Sequence, residues 1–307
     1  MRRRLAAAAR RLTRRRAPSY RALLAEVQAE RAARSAAGEV DPLLHLEDKL
    51  EAYRVAASLG LAHPEVLARP GSVDDLDWAG LPETFVLKSV GGASARGVWP
   101  LERADGGYRH VLTGEVATPA EIAARYHALL DQRRIRRQAF VEERLPGEAG
   151  PVPIDWKLSC FDGEVVLLMG KDLRGSLRRR DWRFRFLSPD GADLGEVRDD
   201  VAIDPALPDP PHLEALVAAG ERLSAALARP FVRLDFYDLP DRGVLFGEVT
   251  PHPGGEQRYR DDLDAALGAA WQRAARRVAK RTAREGADPL AALVRPVDPG
   301  WEDPAGT

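Results

Sequence analysis

Residues 231–255 read FVRLDFYDLPDRGVLFGEVTPHPGG: two apolar strands about a turn, each carrying an acid. Side chains alternate along a strand. Arg233 and Asp235 therefore share one face, while Val232, Leu234 and Phe236 take the other. On the return strand Glu248 and Thr250 share a face, opposite Leu245, Gly247 and Val249. Leu239-Pro240-Asp241-Arg242-Gly243 is turn chemistry, and folding about it sets Asp235 across from Glu248. Like charges facing each other destabilise a sheet. This register therefore needs a cation between the carboxylates or a proton on one of them. Mg²⁺ takes one or two carboxylates together with substrate phosphates, which predicts a nucleotide nearby. A register shifted by one residue would instead leave both acids solvated, so the rest of the chain has to decide.

The chain has 307 residues, enough for two modest domains or one large one with lobes. An apolar content of 45% supports a core, and a net charge of −1 provides no global field toward nucleic acid or membrane. The single cysteine, Cys160, allows no intramolecular disulfide, which fits a reducing, cytoplasmic setting better than a cofactor-free secreted protein. No apolar run approaches the ~18 residues of a membrane span. Only five of the 46 basic residues are lysine: Lys49, Lys88, Lys157, Lys171 and Lys280. A lysine kept inside an apolar strand against such a bias suggests a compact ammonium that arginine cannot replace. Lys88, Lys157 and Lys171 stand in such contexts.

The basic start of the chain, with too short an apolar patch for a signal sequence, predicts a basic, fraying helix in preference to a membrane-surface or nucleic-acid arm. Helical patterns cover 19–35 and 43–59, the second ending at Gly60. A short helix is expected from Ser72, strands over 83–90 and from Val98, and a helix from Thr118 with Pro119 and Glu121 as its start signals. Strand 138–145 comes next, then a Pro/Gly loop. Strands 154–161 and 164–171 form a hairpin about Asp162-Gly163. A strand at WRFRFLS, a helix over 211–228, the opening hairpin and a helix over 261–281 complete the order, before a Pro-rich tail. Helices first, then antiparallel strand pairs with single helices between them, define an α+β protein.

Four further stretches can carry chemistry. VLKSVGGASARGV, residues 86–98, ends a strand on Lys88 and continues into Gly91, Gly92, Ser94 and Gly97. Glycines let backbone N–H groups turn inward and cradle phosphate. This is not a P-loop, since Val98 rather than Lys comes after the last glycine; a glycine-rich hairpin lid and an ordinary flexible hairpin both fit. AFVEERLPG, residues 139–147, runs an apolar strand into Glu142 and Glu143, either a nucleotide hinge or the polar end of an edge strand. Asp155 and Lys157 share a strand face, as a salt-bridged pair or as part of a nucleotide or acyl-phosphate site. The loop 250–255 can present backbone N–H groups and His252 to a substrate, or leave His252 on the surface. There is no zinc spacing, no G-x-S-x-G and no triad order.

Taken in order, the strand lysine, the Gly-rich hairpin, the Glu-Glu hinge, R-x-D and the late E-x-T-P-x-P-G-G resemble the ATP-grasp superfamily. DKLEAYRVAASLGL, FVLKSVGGASARGV, DWKLSCFDGEVV and FVRLDFYD…GEVTPHPGG are similar to its TupA-like branch, named for teichuronopeptide biosynthesis, over about residues 41–271. The resemblance implies two α+β lobes with antiparallel sheets gripping a nucleotide, preceded by N-terminal helices. The boundaries it suggests are a basic extension at 1–40, a helical pre-grasp region at 41–82, a small lobe with the lid at 83–145, a large lobe with the metal hairpin at 146–285, and a tail at 286–307. ATP and Mg²⁺ are the implied cofactors. Lys88 and Lys157 would meet phosphates or the adenine edge, with Asp155 beside them. Gly91, Gly92, Ser94 and Gly97 would form the lid, and Glu142, Glu143 and Leu145 the adenine and ribose hinge. Asp235, Glu248 and Thr250 would hold the metal; Thr250 departs from the asparagine of many superfamily members. Arg233, Lys171 and His252 would act on the reacting groups, with Arg178 to Arg180 and His252 toward the acceptor.

The implied activity is ATP-dependent joining of a small-molecule or peptide carboxylate to an amine through an acyl phosphate, in cell-surface polymer or peptide natural-product biosynthesis. Phosphoryl transfer to a hydroxyl, and a non-catalytic module binding an anionic polymer through its Arg-rich segments, remain alternatives. No nucleic-acid partner and no membrane span are expected.

Overall fold

The computed structural model describes residues 18–39, 41–92, 95–148, 150–255 and 257–295. The basic segment 2–16, the lid residue Ser94 and the end of the tail lie outside the described residues. Six α-helices and eleven strands alternate along the rest.

Helix α1, Tyr20–Ala36, packs on α5, Asp261–Glu285. Tyr20 inserts among Phe231, Tyr259 and Trp271, with ring centroids 5.3, 5.9 and 5.7 Å away. The two helices approach closely because α5 carries Gly268, where a Cβ would lie 2.4 Å from the Pro18 carbonyl oxygen.

The single helix expected over 43–59 is broken in two. Asp41 caps a 3-10 turn at Pro42–Glu47, and the Asp48 carboxylate then accepts the N–H groups of Leu50 and Glu51 to start α2, Lys49–Ser58. Aspartate is a strong N-cap, and a cap outcompetes continued helix where its side chain can reach back to the orphan donors. Ser72 likewise caps only a 3-10 turn, Val73–Asp75.

The smaller sheet contains β1 (Val66–Ala68), β2 (Thr84–Ser89), β3 (Val98–Ala104), β4 (Gly107–His110), β5 (Val116–Ala117) and β6 (Ala139–Glu143). Their order is β1-β6-β2-β3-β4-β5, with every pair antiparallel. Helix α3, Pro119–Asp131, starts with the expected capping box of Thr118 and Glu121. It lays Ile122 and Tyr126 on Phe85, Leu87, Leu101 and Val141, closing one face. Strands β4 and β5 were not anticipated; four and two residues are too few to show a period.

The larger sheet contains β7 (Asp155–Cys160), β8 (Val165–Asp172), β9 (Arg183–Leu187), β10 (Val232–Leu239) and β11 (Gly243–Thr250), ordered β11-β10-β7-β8-β9 and antiparallel throughout. The β7–β8 turn has Asp162 and Gly163 at φ 50° and 86°, the pair of left-handed residues that tight hairpins favour. Helix α4, Leu213–Leu227, covers one face, its Leu216, Leu223 and Leu227 joining Leu158, Cys160 and Leu234 in the core. On the other face α1 and α5 cover only part of the sheet, over Phe161, Leu167, Phe184 and Phe186. The remainder of that face carries charge.

One detail of the opening hairpin corrects the simple alternation. The β10–β11 register slips between Asp235 and Phe236, so that Phe236 pairs with Phe246 and Gly247 is the extra residue of a bulge. A Cβ at Gly247 would sit 3.2 Å from both the Asp235 carbonyl and the Tyr237 ring. The bulge turns Phe246 into the core beside Phe236 and Val249, and turns Leu245 out of it, onto Leu145, Leu239 and Tyr237. Residues 289–293, expected as Pro-rich tail, form α6, Pro289–Leu293, with Leu290 buried in the main core and Asp288 as N-cap.

Candidate nucleotide and metal site

The register of the opening hairpin places Asp235 directly across from Glu248. On the other side of β10, Asp235 faces Lys157 of β7. Both Asp235 oxygens are taken. Arg233 Nε donates to Oδ1 at 2.7 Å and Nη2 to Oδ2 at 2.8 Å, while Lys157 Nζ closes on Oδ2. Lys157 also meets Asp155 at 2.5 Å, and Arg233 Nη2 reaches Thr250 Oγ1 at 2.8 Å.

The charges in this cluster hold one another ionised. Burial alone would raise the Asp235 carboxyl, but Arg233 and Lys157 overcome it and set its pKa at about 2. Burial likewise opposes the charges on Lys157 and Arg233, and their carboxylate neighbours more than offset it, raising both.

Glu248 differs. Among the described residues its side chain forms no hydrogen bond or ion pair, although it is half-buried and faces another carboxylate. An acid left so, opposite an acid already saturated on its cationic side, suits a divalent cation between the two. No group of three or more His, Cys, Asp or Glu side chains among the described residues could hold a metal alone. A cation here would complete its shell with phosphate or water oxygens, as Mg²⁺ does. The Thr250 hydroxyl is already an acceptor for Arg233 and would serve best through a bound water.

Lys171 stands on β8, paired with Asp155 of β7. Its ammonium lies 3.7 Å over the Trp182 ring, a cation–π contact. Burial, only partly compensated by Asp155, pulls its pKa down to about 8. The Trp182 indole is fixed by its N–H to the Ser176 carbonyl at 2.9 Å. Beyond it Arg178, Arg179 and Arg180 project into solvent from the β8–β9 connection.

The smaller sheet contributes a second buried pair, Lys88 with Glu142, 5% and 3% exposed. Tyr53 on α2 donates its hydroxyl to Glu142 Oε2 at 2.8 Å. Past Lys88 the chain enters the glycine loop. Gly91 and Gly92 are held at its base by Arg136 N–H to Gly91 O at 3.0 Å and by a bridge from Gly92 to Ile135. Gly97 closes it at φ 70°. Ser89 is the hub of this base: its hydroxyl donates to Gly91 O at 2.7 Å and accepts the Arg136 N–H at 3.1 Å.

The two halves converge on Tyr237. Its phenol is raised well above the usual value by burial, then by Asp155, Glu142, Glu248 and Asp235. Tyr53 is raised in the same way by burial, Glu142, Tyr237 and Glu248. Carboxylates from both sheets therefore surround the same two phenols. Tyr53, Tyr237, Ser89 and Trp182 had no part in the sequence reading, since an isolated tyrosine, serine or tryptophan has no spacing to mark it.

Two anticipated residues are placed differently from their neighbours in the sequence. Glu143 points away from Glu142 and takes Arg242, from the β10–β11 turn, with both oxygens at 2.6 and 2.8 Å, plus the Glu65 N–H at 2.8 Å. It ties the smaller sheet to the hairpin of the larger one. His252 lies against α1 and Asp41, in a small cavity it shares with Arg31 and Leu44. Burial, then Arg31, lowers its pKa to about 4. Leu145 packs with Leu239 and Leu245 beside Tyr237.

Two antiparallel sheets, one offering a strand lysine and a glycine hairpin, the other an R-x-D…E-x-T face, make this an ATP-grasp fold. The chain belongs to the TupA-like ATP-grasp family, whose profile matches residues 29–272. No curated protein matches the chain. Among solved structures, it resembles D-alanine–D-alanine ligase from Bacillus anthracis, crystallised with ATP, at 15% identity and a TM-score of 0.47, over 79% of this chain and 68% of that one. It also resembles the VanG D-Ala:D-Ser ligase from Enterococcus faecalis, at 13% identity and TM-score 0.45, over 75% of this chain and 61% of that one. A RiPP-associated ATP-grasp ligase from Chryseobacterium gregarium, in complex with ADP and a leader and core peptide, aligns at 10% identity and TM-score 0.43, over 76% and 62%.

Proposed function

We propose that this protein is an ATP-dependent ligase that activates a substrate carboxylate as an acyl phosphate and passes the acyl group to an amine. The observation that carries the reading is Glu248, unpaired and facing an Asp235 already saturated by Arg233 and Lys157. Family membership supplies the nucleotide. In this reading Lys88, Lys157 and the lid backbone bind ATP phosphates, and Glu142 and Leu145 border the adenine and ribose. Asp235 and Glu248 hold Mg²⁺, which when bound offsets phosphate charge. Residues 83–145 and 146–285 act as the two gripping lobes.

The carboxylate oxygen attacks the γ-phosphorus, and ADP leaves with the electron pair. The neutral amine nitrogen then attacks the acyl carbon, phosphate leaves with the bonding electron pair, and the nitrogen gives up one proton to solvent or phosphate. Arg233 neutralises the charge developing on the transferred group, the main task in phosphoryl transfer. Lys171, which forms no ion pair among the described residues, stands on the same sheet face as Asp155 and adds a second positive charge for the acyl phosphate. The site supplies charge clamps and no nucleophile of its own, as this chemistry requires. Arg178 to Arg180 stand at its rim as acceptor contacts.

The test is thermal melting with a non-hydrolysable ATP analogue, with and without Mg²⁺. Ligand at about 100 times Kd adds roughly 2.7 kcal/mol. Glu248→Gln is the informative variant, because Glu248 forms no ion pair among the described residues, so its loss breaks no such contact there. A Mg²⁺-dependent rise in Tm in the wild type that Glu248→Gln abolishes supports the metal–nucleotide face. No rise in folded wild-type protein would refute it.

A further inference from the structure

A cavity of about 550 Å³ opens beside α2, bounded by Arg69 just past β1, Gln138 just before β6, and Arg295 beyond α6. None of the side chains assigned above to nucleotide or metal lines it. Its volume is that of a small-molecule site.

The charges around it do not cancel locally. Two acids border the cavity, and both are already engaged. Glu51 takes Arg54 at 2.8 and 2.6 Å and the Arg295 backbone N–H at 2.7 Å. Asp48 accepts the first N–H groups of α2 at 3.0 Å, and Arg136 at 3.3 Å. Arg54 is doubly used, by Glu51 and by the Leu293 carbonyl at 2.7 Å. Two cations remain. Arg69 forms no hydrogen bond or ion pair among the described residues. The Arg295 guanidinium forms none either, although its charge helps to lower the Glu51 carboxyl.

The rest of the wall is flat and largely apolar: Leu50, Ala57, and the imidazole of His63, which stacks on Tyr53 at 4.5 Å and 11°. The His63 Nδ1 lies 2.7 Å from the Pro64 carbonyl and donates to it, which fixes the ring. Spare guanidinium forks beside a ring wall fit one kind of ligand, a carboxylate or phosphate attached to a flat body.

We propose that this cleft is a second ligand site, taking a small organic anion whose carboxylate or phosphate is bound by Arg69 and Arg295 and whose body lies along His63 and Leu50. Tyr53 connects it to the other site. The Tyr53 ring backs His63 in the cleft, and its hydroxyl ends on Glu142, the partner of Lys88. A ligand that shifts the stacked pair therefore shifts the carboxylate that holds Lys88. This coupling rests on the nucleotide reading of Lys88; the binding itself does not.

The test is calorimetric titration of the full chain with benzoate and with phenyl phosphate, two anions sharing one flat body, and with uncharged benzyl alcohol as control. One-site binding of either anion but not of the alcohol is expected, and the tighter of the two identifies the carboxylate or phosphate source. Arg69→Glu and Arg295→Glu, both at exposed positions, should each weaken it about tenfold or more, the cost of losing a charged hydrogen-bond pair. Glu248→Gln should leave it unchanged. The proposal is overturned if neither anion binds, if benzyl alcohol binds equally well, or if both charge reversals leave binding intact. It is also overturned if Glu248→Gln tightens anion binding, as removing a negative charge would for an anion held in the nucleotide site. A failed anion titration beside an intact Mg²⁺-dependent melting shift would remove this cleft and leave the ligase reading standing.

Discussion

The β10–β11 and β2–β3 hairpins are both antiparallel, the first interrupted by the bulge at Gly247 and the second paired without a slip, and they differ in what they carry. In β10–β11 the chemistry is on the strands. Arg233, Asp235, Glu248 and Thr250 occupy one face, and the three-residue turn at 240–242 lies at the far end. In β2–β3 the strand face ends on Lys88, paired with Glu142. Beyond it lies a glycine loop, pinned at its base by Ser89, Ile135 and Arg136, whose backbone is the lid of the proposed reading. Side chains on paired strands are positioned by the ladder and by each other. Backbone donors of a loop lack that ladder, which suits the lid role proposed for it. The first hairpin should therefore answer mutation with lost stability, and the second with lost nucleotide affinity.

The largest effect should come from Asp235. Asp235→Asn leaves Arg233 and Lys157 buried without their shared counter-charge, a loss of roughly 3–5 kcal/mol, read as the midpoint shift in denaturant unfolding. The double variant with Lys157→Met should recover part of it. A loss below about 1 kcal/mol would mean that the strand face is not held by this cluster, and the contrast between the hairpins would fail.

That Asp235 and Glu248 face each other was legible because strand period and turn chemistry are local. Lys88, the glycine loop and the β7–β8 hairpin about Asp162-Gly163 were legible for the same reason. The bulge at Gly247 was not, since its cause lies in Phe246 seeking the core beside Phe236, a tertiary preference with no local mark. The bond from Tyr53 to Glu142 joins residues 89 positions apart, and no spacing rule reaches so far. Glu143 was read together with Glu142 because neighbours in a motif are taken as a unit. Adjacent residues on a strand point to opposite sides, so one acid meets Lys88 while the other meets Arg242.

A second test of the strand face is its acid response. The Asp235 pKa, about 2 against an ordinary 3.8, is depressed in the folded state. Its contribution to stability is fully present above about pH 4 and is lost as pH falls through about 2, on the order of 2 kcal/mol. Unfolding free energies across that window should fall more steeply in the wild type than in Asp235→Asn. Parallel curves would show that Asp235 is not the group responsible.

The glycine loop should respond differently. Gly97 sits at φ 70°, and a Cβ there would lie 2.8 Å from the Ile135 side chain. Gly97→Ala should cost about 1–2 kcal/mol of stability from the left-handed backbone alone. Its distinguishing effect should be on the lid, with KM for ATP rising more than kcat falls. If kcat falls and KM does not, the loop positions reacting groups rather than gripping nucleotide, and the two hairpins are more alike than their construction suggests.

The smallest effect should come from the contact that joins the two hairpins' sheets. Arg242, in the β10–β11 turn, holds Glu143 at the end of β6 through two hydrogen bonds, with 44% of its side chain exposed. Exposed pairs contribute about 0–1 kcal/mol, so Arg242→Ala should barely move Tm. Its effect should appear instead in nucleotide binding, because the pair fixes the angle between the face bearing Asp235 and the strand bearing Glu142. A rise of a few-fold in the Kd of an ATP analogue, with Tm unchanged and with partial recovery in Arg242→Lys, would mark it as an interlobe strut. An unchanged Kd would return Glu143 to the role its place in the motif suggested, with its carboxylate free to leave Arg242 for the ribose. Charge removal at Glu143 itself would then weaken nucleotide binding while Arg242→Ala would not, and that asymmetry separates a strut from a ligand contact.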